Sequence, residues 1–146
     1  MIIRNRRASH DYQLFEKIEV GIVLIGSEVK SVKQGRILLE DAFVKIINDE
    51  AFLLGAHIQP YQFADNRDYD PRRTRKLLLH KKELTSLASK MQQKSLTLVP
   101  ISCYIKRGRI KLKIALAKGK KQFQKKETKK KKDVEREIER EQRVKI

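Results

Sequence analysis

Large apolar side chains occupy every second position of RIKLKIAL, residues 109–116, with cations between the first of them, and this stretch limits the possible folds more than any other. Its apolar positions are Ile110, Leu112, Ile114 and Leu116, and its cationic positions are Arg109, Lys111 and Lys113. A period of two predicts a β-strand with one buried face and a row of cations about 6.6 Å apart on the other. Because such strands cannot leave an apolar face in water, the sheet must close on itself or be covered by helices. A small closed barrel is the simplest solution.

Other stretches predict further antiparallel strands. They are residues 12–24, residues 38–47 and 51–58, which form a hairpin, and residues 96–106, which form a second hairpin with the 109–116 strand. Asn48, Asp49 and Glu50 supply turn chemistry for the first hairpin. Arg107 and Gly108 form the turn of the second. These patterns indicate a mainly β chain.

Two short helices and one long loop are predicted beside the strands. SEVKSVKQ, residues 27–34, has Ser27 as a candidate N-cap and is followed by Gly35, which suits a left-handed helix end. Within residues 77–91, four apolar side chains have helical spacing, namely Leu84, Leu87, Ala88 and Met91. Residues 61–76 are polar and have no period, so we expect them to form a surface loop.

Charge divides the chain into two parts. The 146 residues carry a formal net charge of +17. Residues 118–146 hold thirteen Lys and Arg against six Asp and Glu, a net +7, which leaves +10 on residues 1–117. The final segment has almost no apolar residues and cannot fold unaided. We expect one barrel domain over residues 1–117 and a basic tail over residues 118–146 that is disordered when free.

The excess of positive charge favours a polyanionic partner, because Lys and Arg gain by releasing the counterions condensed on phosphates. An anionic membrane is the weaker alternative, since no amphipathic stretch has a broad apolar face and no lipidation motif is present. No apolar run approaches the ~20 residues needed to cross a bilayer, and the first residues lack the apolar segment of a secretory signal. The single cysteine, Cys103, lies in an apolar strand and is expected in the core. A soluble, intracellular protein is predicted.

Residues that support catalysis or metal binding are scattered through the sequence. His10, His57 and His80 fall in different elements, and one cysteine cannot make a structural zinc site. No Gly-rich phosphate loop is present, and no acidic pair has a spacing that predicts general acid and base catalysis. We expect no metal, no cofactor and no enzymatic activity.

Three basic runs in distant parts of the sequence favour an RNA or DNA surface over three unrelated solvated faces. The runs contain Asn5, Arg6, Arg7 and His10; Arg72, Arg73, Arg75 and Lys76; and the three cations of the 109–116 strand. Tyr12, Tyr61 and Phe63 are either base-stacking residues or anchors of the core and loops. From spacing alone, Glu19 is expected to pair with a cross-strand Lys, and residues 77–79 to fill the core.

Several motifs are similar in order and spacing to those of the SmpB family. They are NRRASHDY, VGIVLIGSEVKSVKQGR, HIQPY, DPRRTRKLLLHKKEL, and KIALAKGKKQF followed by a basic tail. The resemblance covers nearly the whole chain. It implies a six-stranded antiparallel barrel of the oligonucleotide-binding type with two or three short helices.

The same resemblance implies a monomeric RNA-binding adaptor of the bacterial cytoplasm or of a bacterium-derived organelle. Such an adaptor binds the tRNA-like domain of transfer-messenger RNA (tmRNA) and delivers it to stalled ribosomes for trans-translation, which rescues the ribosome and tags the nascent peptide. Its tail would fold as a helix in the decoding centre and the empty mRNA channel. The decoding centre and the mRNA channel of the ribosome would therefore be its partners besides tmRNA.

Carried over by position, the resemblance implies RNA contacts for Asn5, Glu19, Leu78 and Lys111. It makes Glu19 a hydrogen-bond acceptor and Leu78 the exposed leucine of its triplet. The complete predicted RNA-binding set is Asn5, Arg6, Arg7, His10, Glu19, Lys30, Arg75, Lys76, Leu78, Arg109, Lys111 and Lys113. The predicted ribosome-binding residues of the tail are Gly119, Lys120, Lys121, Gln124, Lys125 and Lys126. Gln124 stands where the family commonly has Asp.

The residues alone leave two other classes open. A structural ribosomal protein would share the basic barrel and the long tail. A nucleic-acid-processing enzyme would bring distant acids or histidines together in the fold.

Overall fold

A computed structural model describes residues 1–120 of the chain, as nine strands and three helices. The strands are β1 (Ile2–Arg4), β2 (Tyr12–Ile22), β3 (Ile37–Leu38), β4 (Phe43–Ile47), β5 (Glu50–Leu54), β6 (His57–Ile58), β7 (Arg75–Leu78), β8 (Thr97–Lys106) and β9 (Arg109–Gly119). The helices are α1 (Arg6–Asp11), α2 (Gly26–Lys33) and α3 (Lys81–Lys94). None of the three helices combines the length and apolar character that a bilayer crossing requires.

Six of the strands close into a ring. They pair antiparallel in the order β8, β4, β5, β7, β2, β9, and β9 pairs back with β8. β1 adds to the outside of β8, where Ile3 faces Cys103. β3 and β6 form a separate pair. The predicted mainly β fold with a closed antiparallel sheet and short helices is confirmed.

The core fills the inside of this ring. The alternating apolar residues of β9 face it, since Leu112 and Ile114 are fully buried and Leu116 is 2% exposed. Leu84 and Leu87 of α3 and Val32 of α2 pack against the same cluster. Cys103 is also buried, and burial raises the pKa of its thiol to about 12. This residue is therefore part of the core, as predicted, and not a reactive thiolate.

The alternation in β2 changes phase, which the sequence did not reveal. The register slips between Leu14 and Lys17, so Leu14 points to the opposite side from Val20. Val20 faces the main core, while Leu14 packs with a second cluster beneath α1 formed by Ala8, Val99 and Ala117. The expectation of one unbroken strand pattern over residues 12–24 is corrected, because a β-bulge inserts extra residues into one strand of a pair.

Two tight turns fix the register of the hairpins. Asn48 and Asp49 have φ of 50° and 61°, and Arg107 and Gly108 have φ of 51° and 76°. Paired left-handed residues are typical of two-residue turns that match the twist of the flanking strands. Glu50, predicted in the first turn, is the first residue of β5.

Helix α2 begins earlier than predicted. Its N-cap is Ile25 and not Ser27, because the Glu28 carboxylate accepts the Ile25 N–H at 3.0 Å and satisfies that end of the helix. Gly35 has φ of 77°, which confirms the left-handed residue expected after the helix.

Two boundaries also differ from the sequence expectation. β7 begins at Arg75, so Arg75 and Lys76 are strand residues and not part of the predicted loop. β9 continues to Gly119, because Lys118 and Gly119 pair with Gln13 and Tyr12 of β2. The body of the protein therefore extends past residue 117.

Candidate RNA-binding surface

One outer face of the barrel brings together residues from four neighbouring strands. On β2, Gly21 pairs with Leu78 of β7 on one side and with Lys111 of β9 on the other. Lys111 in turn pairs with Tyr104 of β8. We call this surface the cationic face and define it by Glu19, Gly21, Leu78, Tyr104, Arg109, Lys111 and Lys113. Residues from distant parts of the sequence thus meet on one sheet surface.

Leu78 is an exposed apolar side chain at the β7 edge of this face. It is 55% exposed, whereas its neighbour Leu77 is 2% exposed and faces the core. A Cβ at Gly21 would lie only 3.3 Å from both Cβ and Cδ1 of Leu78, so the leucine side chain lies over the glycine. The expectation that all three leucines fill the core is corrected. Leu78 is the exposed member, as the resemblance implied.

Grooves lie on both sides of Leu78. One, of about 300 Å³, has Arg109 and Lys111 among its lining residues. The other, of about 340 Å³, has Glu19 and His80 among its lining residues. An apolar floor with cations beside it is suited to an unpaired base, because the base can stack while its phosphate meets the cations.

Glu19 is an ionised acceptor among cations. Its carboxylate accepts a hydrogen bond from the Tyr104 hydroxyl, and Lys106 Nζ lies 3.4 Å from its Oε1. Lys113 lies opposite Glu19 in the register, as expected from spacing, but the Glu19 side chain contacts Tyr104 and Lys106 of β8, one strand further along. The Tyr104 hydroxyl, helped by Lys106 and Lys111, lowers the pKa of Glu19. At neutral pH this side chain can therefore only accept hydrogen bonds.

Arg75, a predicted RNA contact, is wholly buried. Its Nε donates to Glu28 at 2.9 Å, and its other nitrogens donate to the carbonyls of Ala56 at 2.8 Å and Pro71 at 3.0 Å. The guanidinium is thus held inside the protein with a charged partner, as a buried cation requires. The prediction for Arg75 is corrected to a structural role that joins β7 to α2.

Asn5 is likewise held inside the protein. It is 6% exposed, and its Nδ2 donates to the carbonyls of Leu39 at 3.0 Å and Pro100 at 2.8 Å. Its Oδ1 accepts the Ala8 N–H at 3.3 Å and caps the first turn of α1. The side chain predicted to contact RNA therefore sets the position of α1.

The cations of α1 lie at the other end of the sheet. Arg6 and Arg7 are exposed, and Arg7 pairs with Asp41 at 2.9 Å and Asp11 at 3.5 Å. His10 Nδ1 lies 2.8 Å from an Asp11 carboxylate oxygen. Helix α1 leads into the start of β2, whereas Leu78 pairs with Gly21 near the end of that strand. The distance between α1 and Leu78 along β2 is therefore roughly 30 Å. The predicted set is therefore split between two regions of the surface.

Lys76 lies beside Leu78 on β7, and Lys30 lies on α2. Both are exposed, and Lys76 Nζ lies 3.7 Å from a Glu50 carboxylate oxygen. Lys76 is two residues before Leu78 on β7, so the two side chains share one face of the strand. Lys30 follows Val29 on α2, and Val29 lines one of the grooves. Lys76 therefore extends the positive surface beside Leu78.

The start of the predicted tail is joined to the body. Lys120 donates its backbone N–H to the Asp11 carbonyl at 3.0 Å and its Nζ to the Ser9 carbonyl at 2.8 Å. Gly119 is the last residue of β9. The other predicted tail residues, Lys121, Gln124, Lys125 and Lys126, lie outside the described residues.

The three aromatics that were candidates for stacking differ in environment. Tyr12 packs against the second apolar cluster, as an anchor does. Tyr61 and Phe63 form an edge-to-face pair with centroids 5.4 Å apart in the loop between β6 and β7. Phe63 is 77% exposed. This pair is a candidate for stacking that is not part of the cationic face.

Sequence reasoning missed Tyr104 and Gly21. The signal for Tyr104 was present, because a two-residue turn at Arg107 and Gly108 fixes its pairing with Lys111. Gly21 could not be found in this way, since the need for a small residue depends on Leu78 of another strand. Within residues 1–120, no three His, Cys, Asp or Glu side chains lie together as metal ligands would.

The neighbouring leucines allow a matched stability test. Leu77→Ala is expected to lower the free energy of unfolding by about 2–5 kcal/mol, because it leaves a cavity in the core. Leu78→Ala should change it by only about 0.5 kcal/mol or less, since the exposed side chain supports no core packing. Urea unfolding followed by circular dichroism measures both. Equal losses for the two variants would contradict the assignment of Leu78 as the solvent-facing residue.

These features define the class of protein. A closed antiparallel barrel with a row of cations, an exposed leucine and an ionised acceptor on one outer face is a small nucleic-acid-binding barrel. The sequence model of the SmpB protein family matches residues 2–144. The chain belongs to the SmpB family.

Individual relatives agree with this assignment. The chain is 49% identical to an SsrA-binding protein of Enterococcus faecalis over 140 residues, which is 96% of this chain and 91% of the relative. It is 46% identical to an SsrA-binding protein of Persephonella marina over 146 residues, which is all of this chain and 96% of the relative. Its fold is similar to a chain of the solved structure "tmRNA-SmpB: a journey to the center of the bacterial ribosome", with a TM-score of 0.69 and 45% identity over 83% of this chain and 85% of that one.

Proposed function

We propose that this protein is a non-enzymatic RNA-binding adaptor of trans-translation. It binds the tRNA-like domain of tmRNA and delivers it to stalled ribosomes. The observation that carries the proposal is the row of Leu78, Gly21 and Lys111 across three strands, with Glu19 beside it. Three of the four RNA contacts implied by the family resemblance thus meet on one surface.

The relatives support the same partners. The curated proteins similar to this chain are SsrA-binding proteins, and SsrA RNA is tmRNA. The similar solved structure concerns tmRNA and SmpB in the bacterial ribosome. A purely structural ribosomal protein is therefore not favoured. A protein with these partners works where bacterial ribosomes work, and we assign it to the bacterial cytoplasm.

Electrostatics support binding to a folded RNA. With +10 on residues 1–117, the body attracts phosphates, and counterion release contributes affinity without reading sequence. The cationic face adds shape and chemistry, because Leu78 packs on unpaired bases and Glu19 accepts hydrogen bonds. Such a surface suits a loop of unpaired nucleotides better than a regular duplex.

We assign the second half of the function to the tail beyond the body. Residues 121–146 carry eleven Lys and Arg against six Asp and Glu and follow directly from Lys120 beside α1. In the adaptor this segment probes the decoding centre and the mRNA channel. An intact message and the tail compete for one channel, so rescue begins only where the message is missing.

Lys111→Ala tests the RNA-binding surface. Loss of one phosphate contact should weaken binding to the tRNA-like domain and reduce the slope of log affinity against log salt by about one unit. Filter binding or fluorescence anisotropy over a salt series measures both quantities. The matched control is Lys45→Ala, which removes the same charge from an exposed position on β4, two strands away from β9. If the two variants behave alike, the contribution of Lys111 is general and the cationic face is not the binding site.

A further inference from the structure

We propose that Tyr104 is a positioning residue for RNA recognition. Its hydroxyl fixes the Glu19 carboxylate above the sheet, so that Glu19 accepts a hydrogen bond from a donor group of the RNA. This inference rests on the proposed function and adds to it the chemical class of the group that is read. The group is a hydrogen-bond donor, either a ribose 2′-hydroxyl or an N–H of a base, and not a phosphate.

Tyr104 contacts Glu19 across three neighbouring strands. Tyr104 lies on β8 and Glu19 on β2, with β9 between them. The tyrosine hydroxyl nevertheless reaches the carboxylate and donates to its Oε2. The side chain must therefore extend across β9, where its backbone partner is Lys111 and the partner of Glu19 is Lys113. Tyr104 thus links β8 to β2 across the cationic face.

Tyr104 is not part of the apolar core of the described residues. Among the described residues, neither the main apolar cluster nor the one beneath α1 includes it. Its ring lies on the outer side of β8, where the alternation places Lys106 as well. A tyrosine that reaches over a polar surface to one carboxylate is suited to orienting that carboxylate.

The charge of Glu19 limits the groups that it can bind. The hydrogen bond from Tyr104 and the nearby cations lower its pKa, so it carries a negative charge at neutral pH. An ionised carboxylate repels phosphate and has no donor of its own. The Tyr104 hydroxyl remains protonated, since burial and the neighbouring carboxylate raise its pKa to about 12. The RNA group that contacts Glu19 must therefore donate a hydrogen bond.

A consequence is selectivity on a surface that would otherwise bind any polyanion. The cations of β9 contribute affinity for phosphates irrespective of sequence. A fixed acceptor beside them favours RNA segments that present a donor at that point and penalises those that present a phosphate. A mobile carboxylate could turn away from phosphate and would discriminate less.

The test is a double-mutant cycle on the full chain with the tRNA-like domain of tmRNA as the probe. Tyr104→Phe keeps the ring and removes the hydroxyl, and it should weaken binding about fivefold, as expected for one lost hydrogen bond. Its salt slope should match that of the wild type, because no phosphate contact is lost. Glu19→Gln should weaken binding further. The double variant should bind no more weakly than Glu19→Gln alone, since Tyr104 acts through Glu19.

Nucleotide-analogue interference on the same RNA distinguishes the two sources of the donor. RNAs carrying scattered 2′-deoxy sugars test the ribose hydroxyl, and RNAs carrying bases without the exocyclic amine or ring N–H test the base. One position should interfere with binding to the wild type and not with binding to Tyr104→Phe. If this position is found with the 2′-deoxy RNAs, the donor is a ribose hydroxyl. If it is found with the altered bases, the donor is an N–H of a base. Identical interference patterns for the two proteins would overturn the proposal.

Controls separate this inference from folding and from the proposed function. Tyr12→Phe removes a hydroxyl from the tyrosine that packs against the second apolar cluster, outside the cationic face, and should bind as the wild type does. A fall in the urea midpoint of Tyr104→Phe together with additive effects in the cycle would mean a structural role only, which overturns the inference. Wild-type affinity of Tyr104→Phe would overturn it while leaving the proposed function intact. Failure of the wild type to bind the tRNA-like domain would instead refute the proposed function.

Discussion

Arg75→Ala is expected to lower the free energy of unfolding by about 3–5 kcal/mol, because it removes one partner of a buried ion pair. Arg75 and Glu28 are both buried, and Arg75 Nε donates to the carboxylate at 2.9 Å. Without the arginine, the carbonyls of Ala56 and Pro71 also lose a donor. Arg73 can compensate only in part, since it approaches from the solvent side. Urea unfolding of the full chain measures the loss.

The loss should depend on pH in a defined direction. Burial on its own would raise the pKa of Glu28, but hydrogen bonds from Arg73, from the Ile25 N–H and from Arg75 outweigh it and lower that pKa. Stabilisation by a carboxylate of lowered pKa is complete above the pKa of the unfolded chain and disappears as the pH falls through the folded value. The difference in stability between wild type and Arg75→Ala should therefore narrow in acid.

Arg72→Ala is the matched control for this prediction. Arg72 belongs to the same basic run but is exposed, so its loss should change the free energy of unfolding by about 0.5 kcal/mol or less. A change of under about 1 kcal/mol for Arg75→Ala would contradict a central structural role. A further contradiction would be a loss that persists undiminished at low pH.

The same run of arginines contains one residue whose position in the fold the sequence pattern does not predict. In DPRRTRK, Arg72 and Arg75 look alike, and both are three residues or fewer from other cations. The partner that draws Arg75 inside is Glu28, 47 residues earlier, on a different element. No local sequence pattern predicts that contact between Arg75 and Glu28. A basic run therefore predicts a positive surface correctly on average and misassigns the individual member that the fold buries.

Strand periodicity was the more reliable signal, and its failures have physical causes. The alternation of β9 predicted its core face, because successive side chains of one strand point to opposite sides of the sheet. The same reasoning failed in β2, where the register slips between Leu14 and Lys17. A bulge changes the phase without a sequence signature of its own. The short α1 was also missed, since its main support is the buried Asn5 cap.

The candidate site could be predicted only in part for a related reason. Cations on β9 follow from alternation, but the roles of Glu19 and Leu78 depend on which strands become neighbours. Family resemblance supplied those two positions. The strand pairing then explains them, because Gly21 between Leu78 and Lys111 creates room for the leucine on the outer face. Tyr104 is a further residue of this surface that neither the alternation nor the family resemblance identified.

Truncation after Lys120 is expected to separate RNA binding from ribosome rescue. The shortened protein keeps all of β9 and the two hydrogen bonds that join Lys120 to Asp11 and Ser9. It should therefore bind the tRNA-like domain with most of the full-length affinity. Peptide tagging on ribosomes stalled at the end of a message should be abolished, because nothing remains to enter the mRNA channel. Binding and a reconstituted tagging assay measure the two properties.

The position of the cut decides whether this experiment can be interpreted. Truncation after Ala117 would also remove Lys118 and Gly119, which pair with Gln13 and Tyr12, and so would damage the body itself. A better control is a full-length chain in which residues 121–146 are shuffled, since it keeps the net +5 of that segment and should still fail to tag. Tagging by the shuffled chain would mean that charge alone suffices. Tagging by the chain that ends at Lys120 would refute the role assigned to the tail.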